Sequence, residues 1–590
     1  MTQPQASRSI KPGTRSHDKE DILPVIAELQ KQGAIEPCEP MRGQWLSPFF
    51  LVKKPNGKNR FILNLKGLNQ FLAPPHFKME DIRSVTKLVQ KNWFMSSIDL
   101  KDAYFLVPID PNHRKYLRFQ YKNQFFEFTC LPFGLSVAPY VFTKIMRPVV
   151  KYLRSAGILC LNYLDDILIL SENYEAGQSH IHVATTLLES LGFLINYNKS
   201  SLIPSTRCTF LGFIIDSHSM SLELPNEKQR RILKLVNEIK LSKKLQIRRL
   251  AHTLGVLGSS CPAIKYGWLY TKRLERDKYL ALRRTNGNYN AYMHLSKHSF
   301  EDLDWWLLHT TRCNNEIRQD HFELEIFTDS SLTGRGAYCQ GEVTNGWWPL
   351  NVQTKHINFL ELLAIQYGLQ CFANSYKSAS ILIRSDNTTA ISYINRMGSV
   401  KFADLCSLAR KIWQWAEERN LWLYASYISS DNNTIADQES RKLPPLETEW
   451  SLSGAAFHTI ITTISAPEID LFASYANFKC EKYVSWKRDP GAVMIDAFTI
   501  SWKNLNFYAF PPFSLILRVL NKIINEKATG IVVVPHWPTQ VWFPLFSKLI
   551  ASEPIIFSST PDLITSPYSS AAHPLKITLV AARLSGTLFH

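Results

Sequence analysis

Two adjacent carboxylates, Asp165 and Asp166, sit in the middle of an otherwise apolar run, LNYLDDILIL. The residues on either side read as a strand pair with its turn at the acids. Two ionised carboxylates side by side repel, and each loses hydration when it is buried. A hairpin tip standing in water tolerates such a pair, and an arbitrary Asp-Asp is usually of that kind. Here Tyr163, Leu164 and the run Ile167–Leu170 flank the acids without ordinary turn residues. The local chemistry therefore calls for a cation.

At 590 residues the chain is too long for one core, so several domains are expected. Its formal net charge of +17 favours an anionic partner. Lys and Arg are dispersed along the chain, which suits nucleic acid better than a membrane patch. A merely basic protein stays open on charge alone. The ten cysteines are spread thinly with no C-x-x-C pair, which argues against a zinc ribbon or a disulfide scaffold. The opening MTQPQASRSIKPGTRSHDKE lacks an apolar signal core, and no run is long and apolar enough to span a bilayer. A cytoplasmic or nuclear setting without membrane contact is the default expectation.

Patterning divides the chain further. Residues 1–20 read as a disordered basic tail. Two β-rich runs around Pro55-Asn56-Gly57 form a hairpin signal, and short strands, turns and helices continue to about residue 224. Residues 225–318 are helical and basic in part; Lys240, Lys243, Lys244, Arg248 and Arg249 would track phosphates or simply line a solvated helix face. From 319 to 442 the pattern is α/β, residues 443–466 read as a linker, and 467–590 are again α/β, with strands expected in EIDLFAS and TGIVVVPHWP.

A third acid, Asp99, ends the strand-like MSSID. Three carboxylates on neighbouring strands would hold two Mg²⁺ ions roughly 3.5–4 Å apart, offsetting their mutual repulsion. SIDLKDAYFLVPI, LPFGLSVAPYVFTK, YLDDILIL and FLGFIID, in that order, resemble the palm motifs of a reverse transcriptase, and FLVKKPNGKNRFILNLKGLN resembles its fingers hairpin. The resemblance implies that Asp99, Asp165 and Asp166 are metal ligands and that Lys54 and Arg60 hold the triphosphate of the incoming nucleotide. It puts Tyr104 at the steric gate that disfavours a ribose hydroxyl; on pattern alone a core tyrosine is equally good. FLGFIID would be the primer grip. Asn64 and Lys66 depart from the family's frequent Asp and Arg.

FTDSS, NFLELLA, RSDNTTA and NNTIADQESR supply Asp329, Glu361, Asp386 and Asp437. Each has a local alternative: Glu361 would close a capping box with Asn358, Asp386 would cap the next helix, and Asp437 would be a surface acid. Together they resemble the four-carboxylate site of ribonuclease H, which implies two more Mg²⁺ ions and a water directed at the RNA strand of a hybrid. Tyr427 stands where many relatives carry His.

EIDLFASYANFKCEKYVSW, FYAFPPFSLILRVL and GIVVVPHWPTQVWF resemble the methyltransferase-like module of DIRS-type retrotransposons. Phe510 occupies the position of a side-chain acceptor in adenine methyltransferases, and no Gly-rich cofactor loop is evident, so the module is expected to be non-catalytic. The architecture implied is multidomain α+β and α/β: a right-hand polymerase of fingers and palm (21–224) and thumb (225–318), a ribonuclease H-like domain (319–442) and a C-terminal α/β domain. Mg²⁺, with Mn²⁺ as the alternative, is the implied cofactor. RNA template, DNA primer, RNA–DNA hybrid and deoxynucleoside triphosphates are the implied partners, with recombinase or integrase activity supplied by a separate protein. The rival readings are an inactive nucleic-acid-binding remnant and a DNA adenine methyltransferase.

Overall fold

The computed structural model describes residues 22–53, 59–242, 244–312, 314–319, 321–442, 450–568 and 576–588. The tail 1–20, Lys54 with the hairpin turn Pro55-Asn56-Gly57, Lys243 and residues 443–449 of the expected linker lie outside them. The chain divides into two compact units. The first comprises Met1–Leu241, Gly255–Lys265 and Asp304–Gln319; the second comprises Ser242–Leu254, Tyr266–Leu303 and Asp320–His590. The stretch 225–318, expected as one helical body, is thus shared between them.

In the first unit, β1 (Phe49–Lys53) and β2 (Asn59–Leu63) form the expected antiparallel hairpin. β3 (Phe94–Asp99), β4 (Leu159–Tyr163), β5 (Asp166–Ser171) and β6 (Ser201–Ser205) form an antiparallel sheet in the order β4-β5-β3-β6. Two helices, α1 (Ala138–Ser155) and α2 (Tyr174–Ser190), carry apolar residues at helical spacing. Phe142 and Met146 of α1, and Ala184 and Leu188 of α2, share one core with Ile167 and Ile169 of β5. Burying a side chain of the larger kind contributes about 1.5–3 kcal/mol. That core fixes the strand that opens with Asp166.

The second unit contains a five-stranded sheet built from β7 (Leu324–Ser330), β8 (Gly334–Cys339), β9 (Glu342–Trp347), β10 (Ser380–Ser385) and β11 (Trp422–Tyr427), in the order β9-β8-β7-β10-β11. Its first three strands meander antiparallel, whereas β10 pairs parallel with both β7 and β11. The associated helices are α3 (Ile357–Phe372), α4 (Thr388–Asn395), α5 (Ala403–Glu418) and α6 (Thr434–Arg441). α3 is apolar nearly all round and buries ten of its residues, among them Glu361. Outside this sheet, Asp302 is fully buried, with its carboxylate 2.6 Å from Arg410 Nη2 of α5.

A mixed sheet of seven strands closes the second unit: β12 (Ile469–Asp470), β13 (Lys482–Ser485), β14 (Met494–Ile495), β15 (Phe507–Ala509), β16 (Thr529–Pro535), β17 (Ile555–Phe557) and β18 (Leu579–Ser585). Their order is β14-β13-β12-β15-β16-β18-β17, with β18 antiparallel to both neighbours and the pairings from β14 to β16 parallel. The strand expected in EIDLFAS shrinks to Ile469–Asp470, because the Asp470 carboxylate accepts from the Phe472 and Lys479 amides and turns the chain. Residues 450–466, expected as the end of a linker, are folded. Ser451–Leu452 pairs with Ile564–Thr565, and the helix Gly454–Thr463 buries Ala456 and Ile460 in a core with Tyr508 and Ile531. Among the described residues, no helix is long and apolar enough to cross a membrane.

Candidate active sites

The first acid cluster stands where β3 and β5 end and begin. Asp99 and Asp166 are directly paired across the two strands, and Asp165 lies in the two-residue turn between β4 and β5. Leu164 precedes it with φ +56°, a conformation costly for a branched side chain. Asn162 Nδ2 donates to Leu164 O at 2.9 Å and Leu100 N donates to Asp165 O at 2.8 Å, so both sides of the turn are tied down.

Burial first, then the fields of the neighbouring acids, pushes the Asp166 carboxyl up to about 6. Asp165 is raised for the same leading reason, and Asp99 also acts against its ionised form, while Lys199 and Arg60 oppose the shift. Asp99 itself is held by groups that the motifs do not reveal. Asn196 Nδ2 donates to Asp99 Oδ1 at 2.8 Å, Ser200 Oγ accepts from the Asp99 amide at 3.0 Å, and Lys199 Nζ lies 3.8 Å from Asp99 Oδ2. No short-range pattern could have flagged these three, since they lie about a hundred residues beyond Asp99.

Of the two expected triphosphate cations, Lys54 lies outside the described residues. The Arg60 guanidinium sits over the Phe133 ring at 4.3 Å, a cation–π contact, and its charge favours the ionised form of Asp165. Phe133 in turn packs on Tyr104, with ring centroids 5.0 Å apart. Tyr104 is buried and also packs on Phe142; burial and then the Asp165 charge push its hydroxyl up to about 12. Among the basic residues farther along, Lys240 is engaged with Asp304, and Arg248 Nε donates to Asn290 Oδ1 at 3.0 Å.

The second cluster is tighter. Asp329 lies near the end of β7, Glu361 in the second turn of α3 and Asp386 just after β10, and their ligand oxygens all lie within 4.8 Å of one another. The local alternatives fall away. His356, not Asn358, caps α3, and Asn387 rather than Asp386 caps α4. Glu361 is therefore left as a buried carboxyl whose Oε2 has no hydrogen-bond partner. Burial, followed by the Asp329 and Asp386 charges, pushes it up to about 9. Three converging carboxylates, with one buried oxygen unpaired, could hold a divalent cation.

The fourth acid, Asp437, is in the first turn of α6 but pairs with its own helix: Arg441 Nε and Nη2 both donate to Oδ1, at 2.8 and 2.7 Å. Its charge still acts on Asp329. α6 approaches unusually closely. A Cβ on Gly336 of β8 would lie 2.2 Å from Ala436 O, so only glycine admits the helix there. Ser440 of α6 is buried and donates to Asp329 Oδ2 at 2.7 Å; Ser430 donates to Asp386 Oδ2 at 2.6 Å. Ser440 was legible in principle, three residues after Asp437 on one helix face. Tyr427 is 58% exposed and pairs with Ser385, immediately before Asp386.

Residues 52–215 match the profile of the family described as "Reverse transcriptase (RNA-dependent DNA polymerase)". This stretch is a reverse transcriptase domain. It contains the whole first cluster, whereas the second lies beyond it. The enzymatic polyprotein of figwort mosaic virus (strain DxS) is 24% identical over 392 residues, 64% of this chain and 56% of that protein. That of cauliflower mosaic virus (strain Strasbourg) is 24% identical over 464 residues, 75% of this chain and 64% of that protein. The chain thus spans less than two thirds of the length of either relative. A solved foamy viral protease-reverse transcriptase in complex with double-stranded DNA has a TM-score of 0.47 at 17% identity, covering 76% of this chain and 73% of that one.

Proposed function

We propose that the chain is the polymerase and ribonuclease H portion of a DIRS-type retrotransposon polyprotein. It copies RNA, and then DNA, into DNA and degrades the RNA strand of the resulting hybrid. The observation that carries the polymerase half is the pairing of Asp99 with Asp166 beside Asp165, inside the reverse transcriptase domain. The raised carboxyls of Asp165 and Asp166 fit a site meant for cations. Divalent ions bound there supply a Lewis acid that lowers the pKa of a coordinated hydroxyl and neutralises phosphate charge. Asp99, Asp165 and Asp166 would hold them. Lys54 and Arg60 would draw in the triphosphate, and Tyr104, stacked on Phe133, would crowd a ribose 2′-hydroxyl.

The second half rests on the closure of Asp329, Glu361 and Asp386 with Asp437 one helix turn from Arg441. These carboxylates would hold the cations, Ser440 fixes the Asp329 carboxylate, and Ser430 fixes that of Asp386. The basic net charge suits a nucleic-acid partner. Copying template RNA into element DNA would put the protein in the cytoplasm, the nucleus or both.

The strand order of the C-terminal sheet supports a methyltransferase-like fold, but its chemistry does not support methyl transfer. Phe510 follows β15 with no side-chain acceptor, and both Asp470 oxygens are taken by backbone amides of its own loop. Primer extension on poly(rA)/oligo(dT), with Mg²⁺ against Ca²⁺, tests the polymerase. Cleavage of a labelled RNA–DNA hybrid tests the nuclease. Mg²⁺-dependent extension and cleavage are expected; folded protein that binds nucleic acid and does neither is an inactive remnant.

A further inference from the structure

A buried ion pair joins the five-stranded and seven-stranded sheets of the second unit. Arg335 Nη2 of β8 lies 2.9 Å from Asp489 Oδ1, and the two side chains are 7% and 6% exposed. Desolvating two charges is costly, and such a pair persists only where its surroundings fix and satisfy it. They do so here. The Arg335 guanidinium lies over the Tyr367 ring of α3 at 4.5 Å, and the Tyr475 amide donates to Asp489 Oδ2 at 2.5 Å. Tyr475 also packs against Tyr367, with ring centroids 4.8 Å apart. Gly346 of β9 stands opposite Arg335; a Cβ there would lie 2.5 Å from the guanidinium, so the strand leaves room for it.

The contact continues along β9, the edge strand. Thr344 Oγ1 donates to Arg488 O at 2.6 Å, Glu342 pairs with Arg488, and Asn345 accepts from Lys487. An open sheet edge is ordinarily a liability, and here the loop after β13 covers it. Of the elements gripped, one carries an acid of the second cluster and another is paired with the strand that carries a second. α3 holds Glu361 six residues before Tyr367, and β8 is paired with β7 at Asp329.

We propose that the C-terminal sheet is an obligate structural partner of the four-acid site. It locks β8, β9 and α3 through the Arg335–Asp489 pair, so that the two sheets fold and act as one body. This gives a non-catalytic module a function, namely to complete the nuclease fold. The activity readout below rests on the ribonuclease reading; the unfolding and proteolysis readouts do not.

The test uses the full-length chain with Arg335→Met, Asp489→Leu and the double substitution. Each single change strands one charge in the interior, whereas the double change removes both. Each single variant is expected to lose about tenfold or more in hybrid cleavage. It should also open residues 474–491 to protease and split one cooperative unfolding transition of the second unit into two. The double variant should recover most of each property, with primer extension unchanged throughout as evidence of an intact first unit. Should the single variants not accumulate, Arg335→Lys, which keeps the charge and loses the planar fork, is expected to show the same changes in milder form. Single variants with wild-type protease patterns and unfolding, or a double variant no better than the worse single one, would overturn the proposal. If the unsubstituted chain cleaves no hybrid, the ribonuclease reading fails, and unfolding and proteolysis still decide the lock.

Discussion

The two acid clusters both raise carboxyls by burial, but they differ in the side chains that surround them. In the first, Asp99 is already engaged by Asn196 and lies near Lys199, and the acid pair sits on a turn at the end of a hairpin. Protein groups offset part of the negative charge before any ion arrives. In the second, Asp329, Glu361 and Asp386 converge in a largely buried pocket; Ser440 and Ser430 steady two of them, and Glu361 Oε2 has no partner. There burial and the charges of Asp329 and Asp386 disfavour the ionised form of Glu361 and push its carboxyl up to about 9. The lesson is that converging carboxylates can be eased by neighbouring polar and cationic side chains, as at Asp99, or left to repel one another in a buried setting, as at Glu361.

The sharpest way to break this contrast is to remove the closed site's buried acid. Glu361→Gln should cut hybrid cleavage on the order of 10³-fold, through several kcal/mol of lost metal-dependent stabilisation, and leave extension intact. Next comes Gly336→Ala. Its Cβ meets backbone at 2.2 Å and forces α6 away, so thermal unfolding should show the second unit destabilised by about 1–3 kcal/mol or more, with cleavage falling alongside.

A further effect should appear in pH titrations of stability without divalent metal. The Glu361 carboxyl is raised from 4.5 to about 9, so the folded chain retains a proton that the unfolded chain has lost. Stability from this group therefore falls as pH rises across that window, and Mg²⁺ should reverse the fall. Calorimetry at several pH values checks the sign, and Glu361→Gln should flatten the slope. Smallest is Ser440→Ala, which frees the Asp329 carboxylate. Cleavage should drop about ten- to a hundredfold, in line with the roughly 1.5–3 kcal/mol of a hydrogen bond to a charged group. The matching Asn196→Ala should slow extension and spare cleavage.

Much of this was legible where the signal is local. The flanks of Asp165-Asp166 pointed to a hairpin with its turn at the acids. The local alternatives that the structure sets aside, and the features that no local pattern shows, have a common cause. Glu361 reads as a capping-box residue because Asn358 lies three positions before it, whereas its real neighbours are Asp329 and Asp386. Asp386 reads as a cap because Asn387, the actual cap, is its neighbour. EIDLFAS reads as a strand until the Asp470 carboxylate captures two amides. The Arg335–Asp489 pair spans 154 residues, and no pattern within a helix or strand period reaches that far.

The central claim, two separate acid sites on one chain, is tested most directly by the Asp165→Asn variant. It should be assayed for primer extension and hybrid cleavage on the same preparation, with circular dichroism to verify folding. Extension abolished with cleavage at the wild-type rate is the predicted result. Equal loss of both in a folded protein, or extension that survives, would contradict it.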